Sequence, residues 1–192
     1  MKEGKNGVTA NTPKNILFGA GTIHKGLKYS GNAWNFTESL VGATSGGSKL
    51  SIVPEVYEVP VDGALVSVMG LTVKNGEVGT MEVNFIELTK DIIKAATIGT
   101  VGTSDDSNYD VIVPKASIET GDYWENIAFV GKTLEGKNII AIMENALCTS
   151  GFEQEGKNKE GAVGKYTFKC HADMDTDLDT LPWKIYYPKA SA

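Results

Sequence analysis

The sequence predicts a mainly β fold: a β-sandwich or barrel of about eight strands with one flanking α-helix, a long N-terminal loop and extended termini. Short runs rich in β-branched residues recur from residue 48 onward, separated by turn signals. One of these runs alternates apolar and polar side chains, and a single segment has the caps and periodicity of a helix. Its 192 residues are enough for one compact domain, which we place at 16–188.

The N-terminal quarter of the chain is glycine-rich and poor in apolar side chains. Residues 1–15 are polar and predict a flexible arm, and residues 16–19 predict a first strand. Residues 20–47 predict a long loop, because glycines interrupt them repeatedly. Loops of this length are usually functional, so we expect its large side chains to dock on another surface. These side chains are Trp34, Phe36 and Leu40.

Seven further runs predict the remaining strands of the domain. They are 50–59, 64–74, 77–88, 111–118, 123–132, 138–147 and 163–171. Asn75-Gly76 predicts a tight hairpin between the second and third of these runs.

Residues 79–88 show a period of two, with Met81, Val83 and Phe85 alternating with Thr80, Glu82, Asn84 and Ile86, which predicts a strand with one buried and one wet face. The apolar positions are Met81, Val83 and Phe85, and the polar ones are Thr80, Glu82 and Asn84. A slip of one residue in strand register would exchange the two faces.

Residues 89–98 predict the helix. Thr89 is a suitable N-cap, Asp91 complements the helix dipole in the first turn, and Gly99 ends the segment. Ile92 and Ile93 are expected to face the core. Residues 189–192 are expected to form a C-terminal tail.

Composition excludes several functional classes. The chain contains no arginine, its 18 cationic residues are all lysines, and its net charge is −6. A sequence-reading nucleic-acid binder is therefore not expected, because bidentate arginine contacts are missing and net acidity repels polyanions. Cys148 and Cys170 form no metal-binding pair, so we expect reduced, packed thiols in a cytosol-like compartment. No apolar run is long enough to span a membrane as a helix.

No motif predicts catalysis, a cofactor or a metal. Residues 42–49 approach a phosphate loop, but Ser48 and Lys49 are reversed and a strand follows. The acidic run of Asp173, Asp175, Asp177 and Asp179 lacks the glycine and terminal glutamate of a calcium loop. His24 and His171 lie far apart, Cys148 has no neighbouring base, and Glu55 and Glu58 are typical of a solvated strand face. We therefore expect a protein that is not an enzyme.

Several segments together carry a resemblance to a known family. They are residues 15–25, 40–47, 73–89, 171–173 and 179–188, in this order along the chain. In these segments the chain resembles the major tail proteins, or tail tube proteins, of long-tailed, non-contractile bacteriophages. The resemblance extends over residues 13–188 and rests on the order of the segments rather than on one diagnostic motif.

This resemblance implies a structural virion protein. Six copies would form a ring, and rings would stack into a hollow tail tube through which DNA passes without specific binding. The implied partners are other copies of the chain, a tape-measure protein, and tail-tip and terminator proteins. Assembly would take place in the cytoplasm of the bacterial host, with no membrane and no cofactor involved.

The resemblance turns the sequence pattern into predictions for single residues. Thr80, Glu82 and Asn84 are expected to line the lumen, with Glu82 facing bulk water on a monomer as the alternative. The core packed against the helix would contain Met81, Val83, Phe85, Ile92 and Ile93. Inter-subunit contacts are expected from Trp34, Phe36 and Leu40, with local packing beneath the loop as the alternative.

Two other functions remain open at this point. The same architecture occurs as the inner tube of a contractile tail or tailocin. A monomeric β-sandwich that binds carbohydrate is a different class, in which Trp34, Trp124 and Trp183 would stack on sugar rings.

Overall fold

The computed structural model describes residues 7–156, 158–176 and 178–189, and it confirms a mainly β fold. Strands dominate the described residues, with three short α-helices among them. The strands are β1 Leu17–His24, β2 Tyr29–Ser30, β3 Ala33–Trp34, β4 Thr44–Glu58, β5 Thr72–Phe85, β6 Gly99–Gly102, β7 Val111–Pro114, β8 Trp124–Thr133, β9 Asn138–Cys148, β10 Gly164–Cys170 and β11 Trp183–Tyr186. The α-helices are α1 Thr12–Asn15, α2 Phe36–Ser39 and α3 Lys90–Thr97.

Seven strands form one antiparallel sheet in the order β1-β8-β9-β10-β5-β4, with β11 also paired to β9. β8 runs along one edge of β9 from residue 138 to residue 146. The other edge of β9 is shared, because β10 pairs with residues 146–148 and β11 pairs with residues 140–143. Two small antiparallel pairs, β2–β3 and β6–β7, lie outside this sheet.

The sheet curves around one main core. Its two edge strands approach each other through residues 40–43, where the Val41 amide donates to the Ile23 carbonyl (3.0 Å) and the Ile86 amide donates to the Ala43 carbonyl (3.0 Å). The core draws buried side chains from β1, β5, β8, β9, β10 and α3. The fold is therefore closer to a barrel than to two stacked sheets.

The predicted long loop over residues 20–47 is wrong. β1 continues to His24, the β2–β3 hairpin and α2 follow, and β4 already begins at Thr44. Gly21, Gly46 and Gly47 lie in β-bulges of β1 and β4, whereas Gly26, Gly31 and Gly42 lie in the connections between strands. Gly19 and Gly21 have positive φ (89° and 69°) where three residues of β1 oppose Gly131 alone.

The predicted Asn75-Gly76 turn is also wrong. β5 runs straight through this dipeptide, and neither residue adopts the positive φ that a type I′ turn requires. Glu55 lies opposite Gly76 and Val56 opposite Lys74, so Asn75 is the extra residue of a bulge. The hairpin connection is residues 59–71, in the stretch where the sequence predicted a strand over 64–74.

The helix lies where the sequence predicted it, with a different C-terminus. The Thr89 hydroxyl accepts from the Ile92 amide and caps α3. The helix ends at Ile98 in a left-handed conformation, and Gly99 begins β6. β6 pairs with β7, although the sequence predicted no strand at residues 99–102.

Both chain ends contain structure that the sequence did not predict. Part of the N-terminal arm forms α1, while residues 1–6 lie outside the described residues. β11 joins the sheet of its own chain, and residues 190–192 of the predicted tail lie outside the described residues. The Tyr187 hydroxyl donates to Asn15 Oδ1 (2.7 Å) and ties the two ends together. No helix in the described part of the chain is long and apolar enough to cross a membrane.

Candidate assembly surfaces

The two faces of β5 differ as its alternation indicates. Met81, Val83 and Phe85 are buried in the main core. On α3, Ile92 is buried in the same core, whereas Ile93 is only half-buried and belongs to neither core cluster. The polar side chains of β5, which are Thr80, Glu82 and Asn84, lie half-exposed on the outer face.

Glu82 lies between two lysines on this outer face. Its carboxylate contacts Lys165 Nζ on β10 (2.8 Å) and Lys49 Nζ on β4 (3.7 Å). The hydrogen bond from Lys165, followed by the charge of that lysine, lowers the pKa of Glu82. Lys169 lies opposite Thr80 on the neighbouring strand. Around Thr80, Glu82 and Asn84 the face thus carries three lysines and one glutamate, so this region has a positive formal charge although the whole chain is acidic.

Asn84 has a structural partner rather than a free amide. Its Nδ2 donates to the carbonyl oxygens of Gly47 (3.2 Å) and Gly46 (3.4 Å). These glycines have positive φ (85° for Gly46 and 84° for Gly47) in a bulge of β4. The segment that approaches a phosphate loop is therefore a bulged strand fastened to β5, and no helix follows it.

Trp34 and Phe36 pack on their own chain. Both lie against a second cluster on the outer face of β8 and β9, formed by Leu27, Ala128, Val130, Ile140 and Ile142. The Trp34 ring also meets the edge of Tyr186 on β11, with centroids 4.9 Å apart. Local packing therefore accounts for both aromatic residues. Leu40 differs, because half of its surface remains exposed (50%).

His24 fastens the segment carrying these aromatic residues to β1. Its ring is buried and lies between the hydroxyls of Thr22 (2.8 Å from Nε2) and Ser39 (2.9 Å from Nδ1). Ser39 in turn donates to the Asn35 carbonyl (2.8 Å). Burial lowers the pKa of His24, because the cationic ring loses hydration. The neutral ring is thus the form that this site stabilises.

The other candidate catalytic groups have local partners of their own. The Nδ1 atom of His171 is 2.8 Å from the Lys169 carbonyl, and its ring contacts Tyr123. Both cysteines are buried, and burial raises the pKa of each thiol. For Cys170 the pKa rises to about 11. Such thiols are poor nucleophiles. In the described ranges no three His, Cys, Asp or Glu residues group to hold a metal ion, and Asp177 of the acidic run lies outside them.

The three tryptophans do not share a sugar-stacking platform. Trp124 is buried in the core with the Lys25 ammonium over its ring (4.8 Å). Trp183 is part-buried, and its Nε1 donates to Glu77 (3.0 Å). This bond is the largest of several influences that lower the pKa of Glu77. Trp34 packs on the opposite, outer face of β8 and β9, so the three rings serve separate packing sites.

The most exposed apolar surface lies at the tip of the β4–β5 hairpin, here called the hairpin tip and defined as residues 59–71. Leu65 and Met69 are almost fully exposed (97% and 100%). The other exposed apolar residues are Val59, Val61, Val66 and Val68. The backbone is nevertheless ordered by hydrogen bonds, including Val59 to Leu71 (2.9 Å). Sequence reasoning missed this surface because an apolar run flanked by glycines also predicts a buried strand.

Comparison with known proteins gives one plain result. The sequence matches no family model and no curated protein.

Proposed function

We propose that the protein is a structural subunit that assembles with copies of itself into stacked rings, forming the tail tube of a long-tailed, non-contractile bacteriophage. The observation that supports this proposal is the hairpin tip. Its fully exposed leucine and methionine would each contribute about 1.5–3 kcal/mol on burial. Exposed apolar surfaces of this kind mark sites of association.

The two strands at the edges of the sheet, β1 and β4, support self-association as well. β1 and β4 each pair with one neighbouring strand in the sheet, and outside the contacts of residues 40–43 each presents an outer edge. Edge strands are where further chains add to a sheet. An assembly built from copies of this chain would cover both the edges and the hairpin tip.

The outer face of β5 supports the conduit role. If Thr80, Glu82 and Asn84 line the lumen, Lys49, Lys165 and Lys169 accompany them there. Lysines contact phosphates as point charges, without the bidentate geometry of arginine. Glu82 already pairs with two of the three, which reduces their attraction for a polyanion. DNA would then pass with weak, sequence-independent contacts.

The remaining features of the proposal follow from the resemblance. The rings would be hexameric, and the tube would be part of the virion after assembly in the bacterial cytoplasm. Tape-measure, tail-tip and terminator proteins would be its partners. The role requires neither catalysis nor a cofactor.

The hairpin tip gives a direct experiment. We expect the double variant Leu65→Ser/Met69→Ser to stay folded and to lose assembly, because it removes the exposed apolar side chains and no core contact. Light scattering over a concentration series measures assembly, and circular dichroism measures folding.

The matched control is Met174→Ser/Leu178→Ser. It removes the same two side-chain types from another exposed site, the acidic loop. The control should assemble like the wild-type protein. A tip variant that assembles normally would contradict the proposed role of the hairpin.

A further inference from the structure

A second exposed apolar surface lies where β1 begins, beside the β8–β9 turn. We call it the β1 patch and define it by Ile16, Leu17, Phe18 and Leu134. The Leu134 amide donates to the Ile16 carbonyl (3.1 Å), which joins the turn to the strand. Phe18 is 68% exposed, and the other three residues are each exposed by more than two fifths. The outer edge of β1 beside them is an edge of the sheet.

The β1 patch and the hairpin tip carry charges of opposite sign. Lys132 lies opposite Phe18, and Lys14 and Glu135 are close to the patch in the sequence, which gives a formal charge of +1. At the hairpin, Glu55, Glu58 and Asp62 accompany Lys74 and its ion-pair partner Glu77 (3.2 Å), which gives −3. The charged residues around the β1 patch would thus attract the charged residues around the hairpin tip of another copy.

The positions of the two surfaces determine the type of contact they can make. The hairpin belongs to β4 and β5 at one end of the strand order, and the patch belongs to β1 and β8 at the other end. A contact between different surfaces on two copies is heterologous, and its repetition closes a ring or extends a filament.

We propose that the hairpin tip of one copy docks on the β1 patch of a second copy. This inference rests on the proposed function, since it names the partner surface for the same exposed hairpin. A lipid bilayer is the less suitable occupant, because three carboxylates flank the tip and membrane surfaces attract lysine and arginine. Apolar side chains would provide the centre of the contact and the charges its rim.

Two variants with defects on opposite sides of this contact provide the test. The tip variant is Leu65→Asp/Met69→Asp, and the patch variant is Phe18→Asp/Leu134→Asp. Each is expected to be monomeric alone in sedimentation velocity. An equimolar mixture is expected to form a one-to-one dimer and nothing larger, because it contains one intact tip and one intact patch.

The outcomes separate the docking contact from the proposed function. Wild-type assembly together with a mixture that stays monomeric, or with a patch variant that assembles normally, would overturn the docking contact alone. A wild-type protein that is monomeric at every concentration, with no dimer in the mixture, would contradict both.

A milder variant keeps the test independent of folding. Lys132→Glu changes only an exposed rim charge, and it should raise the concentration needed for assembly by up to about fivefold at low salt. Glu58→Lys in the same chain should restore assembly. The effect should shrink as salt is added, because exposed charges are screened. No change at low salt would contradict the charge pairing.

Discussion

At the scale of single residues, two glycines of the β1 bulge differ in what surrounds them. A Cβ on Gly21 would lie 2.5 Å from the Phe129 ring and 2.9 Å from the Val130 carbonyl, whereas a Cβ on Gly19 would meet nothing within 4 Å. Both have positive φ, so alanine at either site is strained by about 1–2 kcal/mol. Only Gly21→Ala adds an overlap, worth about 1–3 kcal/mol more.

We therefore expect Gly21→Ala to lower the free energy of unfolding clearly more than Gly19→Ala. Urea titration of dispersed protein measures both. Equal losses would mean that the close approach of Phe129 is not maintained in solution.

The buried His24 predicts a dependence of stability on pH. Its pKa in the folded chain lies below its ordinary value of 6.5, so near and below that pH the unfolded chain binds the proton more tightly. The free energy of unfolding should be highest above pH 6.5 and should fall as the pH drops towards the lowered pKa of the native state.

His24→Gln tests this dependence, because glutamine does not titrate. Urea titrations at about pH 5 and about pH 8 should show a smaller difference in unfolding free energy for the variant than for the wild-type protein. An unchanged difference would assign the pH dependence to other groups.

At the scale of elements, the segment from β2 to α2 functions as a cover for the outer face of β8 and β9. Trp34→Ala should lower the free energy of unfolding by about 2 kcal/mol, less than for a fully buried aromatic residue. Leu40→Ala is the control, with an expected cost below about 1 kcal/mol because Leu40 is half exposed. Urea unfolding below the assembly concentration measures both.

If Trp34→Ala abolished assembly without changing that free energy, the aromatic ring would act between subunits and not within one. The local packing described above would then be insufficient to explain its position.

Elements whose pattern depends only on local sequence, such as one-sided burial of a strand or the cap of a helix, were predictable from the sequence. The alternation of Met81, Val83 and Phe85 follows from burial on one face, and Thr89 caps α3 because its hydroxyl satisfies a helix amide. Bulges were not predictable, because glycine is frequent both in β-bulges and in loops. Gly19 and Gly21 therefore did not show which of the two structures this segment forms. β11 was missed because its partner β9 lies far away in the sequence.

The candidate surfaces were predictable only in part. The polar face of β5 is predicted by the alternation within that strand. The lysines of β4 and β10 lie on the same face because of the register between strands, and the sequence of one strand does not specify that register. The hairpin tip has the composition of a buried strand, and its exposure depends on where the rest of the sheet ends. Trp34 and Phe36 appeared free because the strands they cover lie about a hundred residues away.

At the scale of the whole molecule, the chain has a well-packed core and still exposes apolar side chains at opposite ends of its strand order. A curved sheet whose core includes the buried face of α3 accounts for the folding of one copy. The hairpin tip, the β1 patch and the parts of the two edge strands beyond residues 40–43 remain uncovered by that copy. On the function proposed above, the folded chain would be one part of a larger homo-oligomer.

Electron microscopy of the purified protein over a concentration series, with light scattering on the same samples, tests this central claim most directly. The account predicts rings or tubes above a threshold concentration, with a hollow centre. A folded protein that remains monomeric at every concentration, both alone and with tail-tip components added, would contradict it.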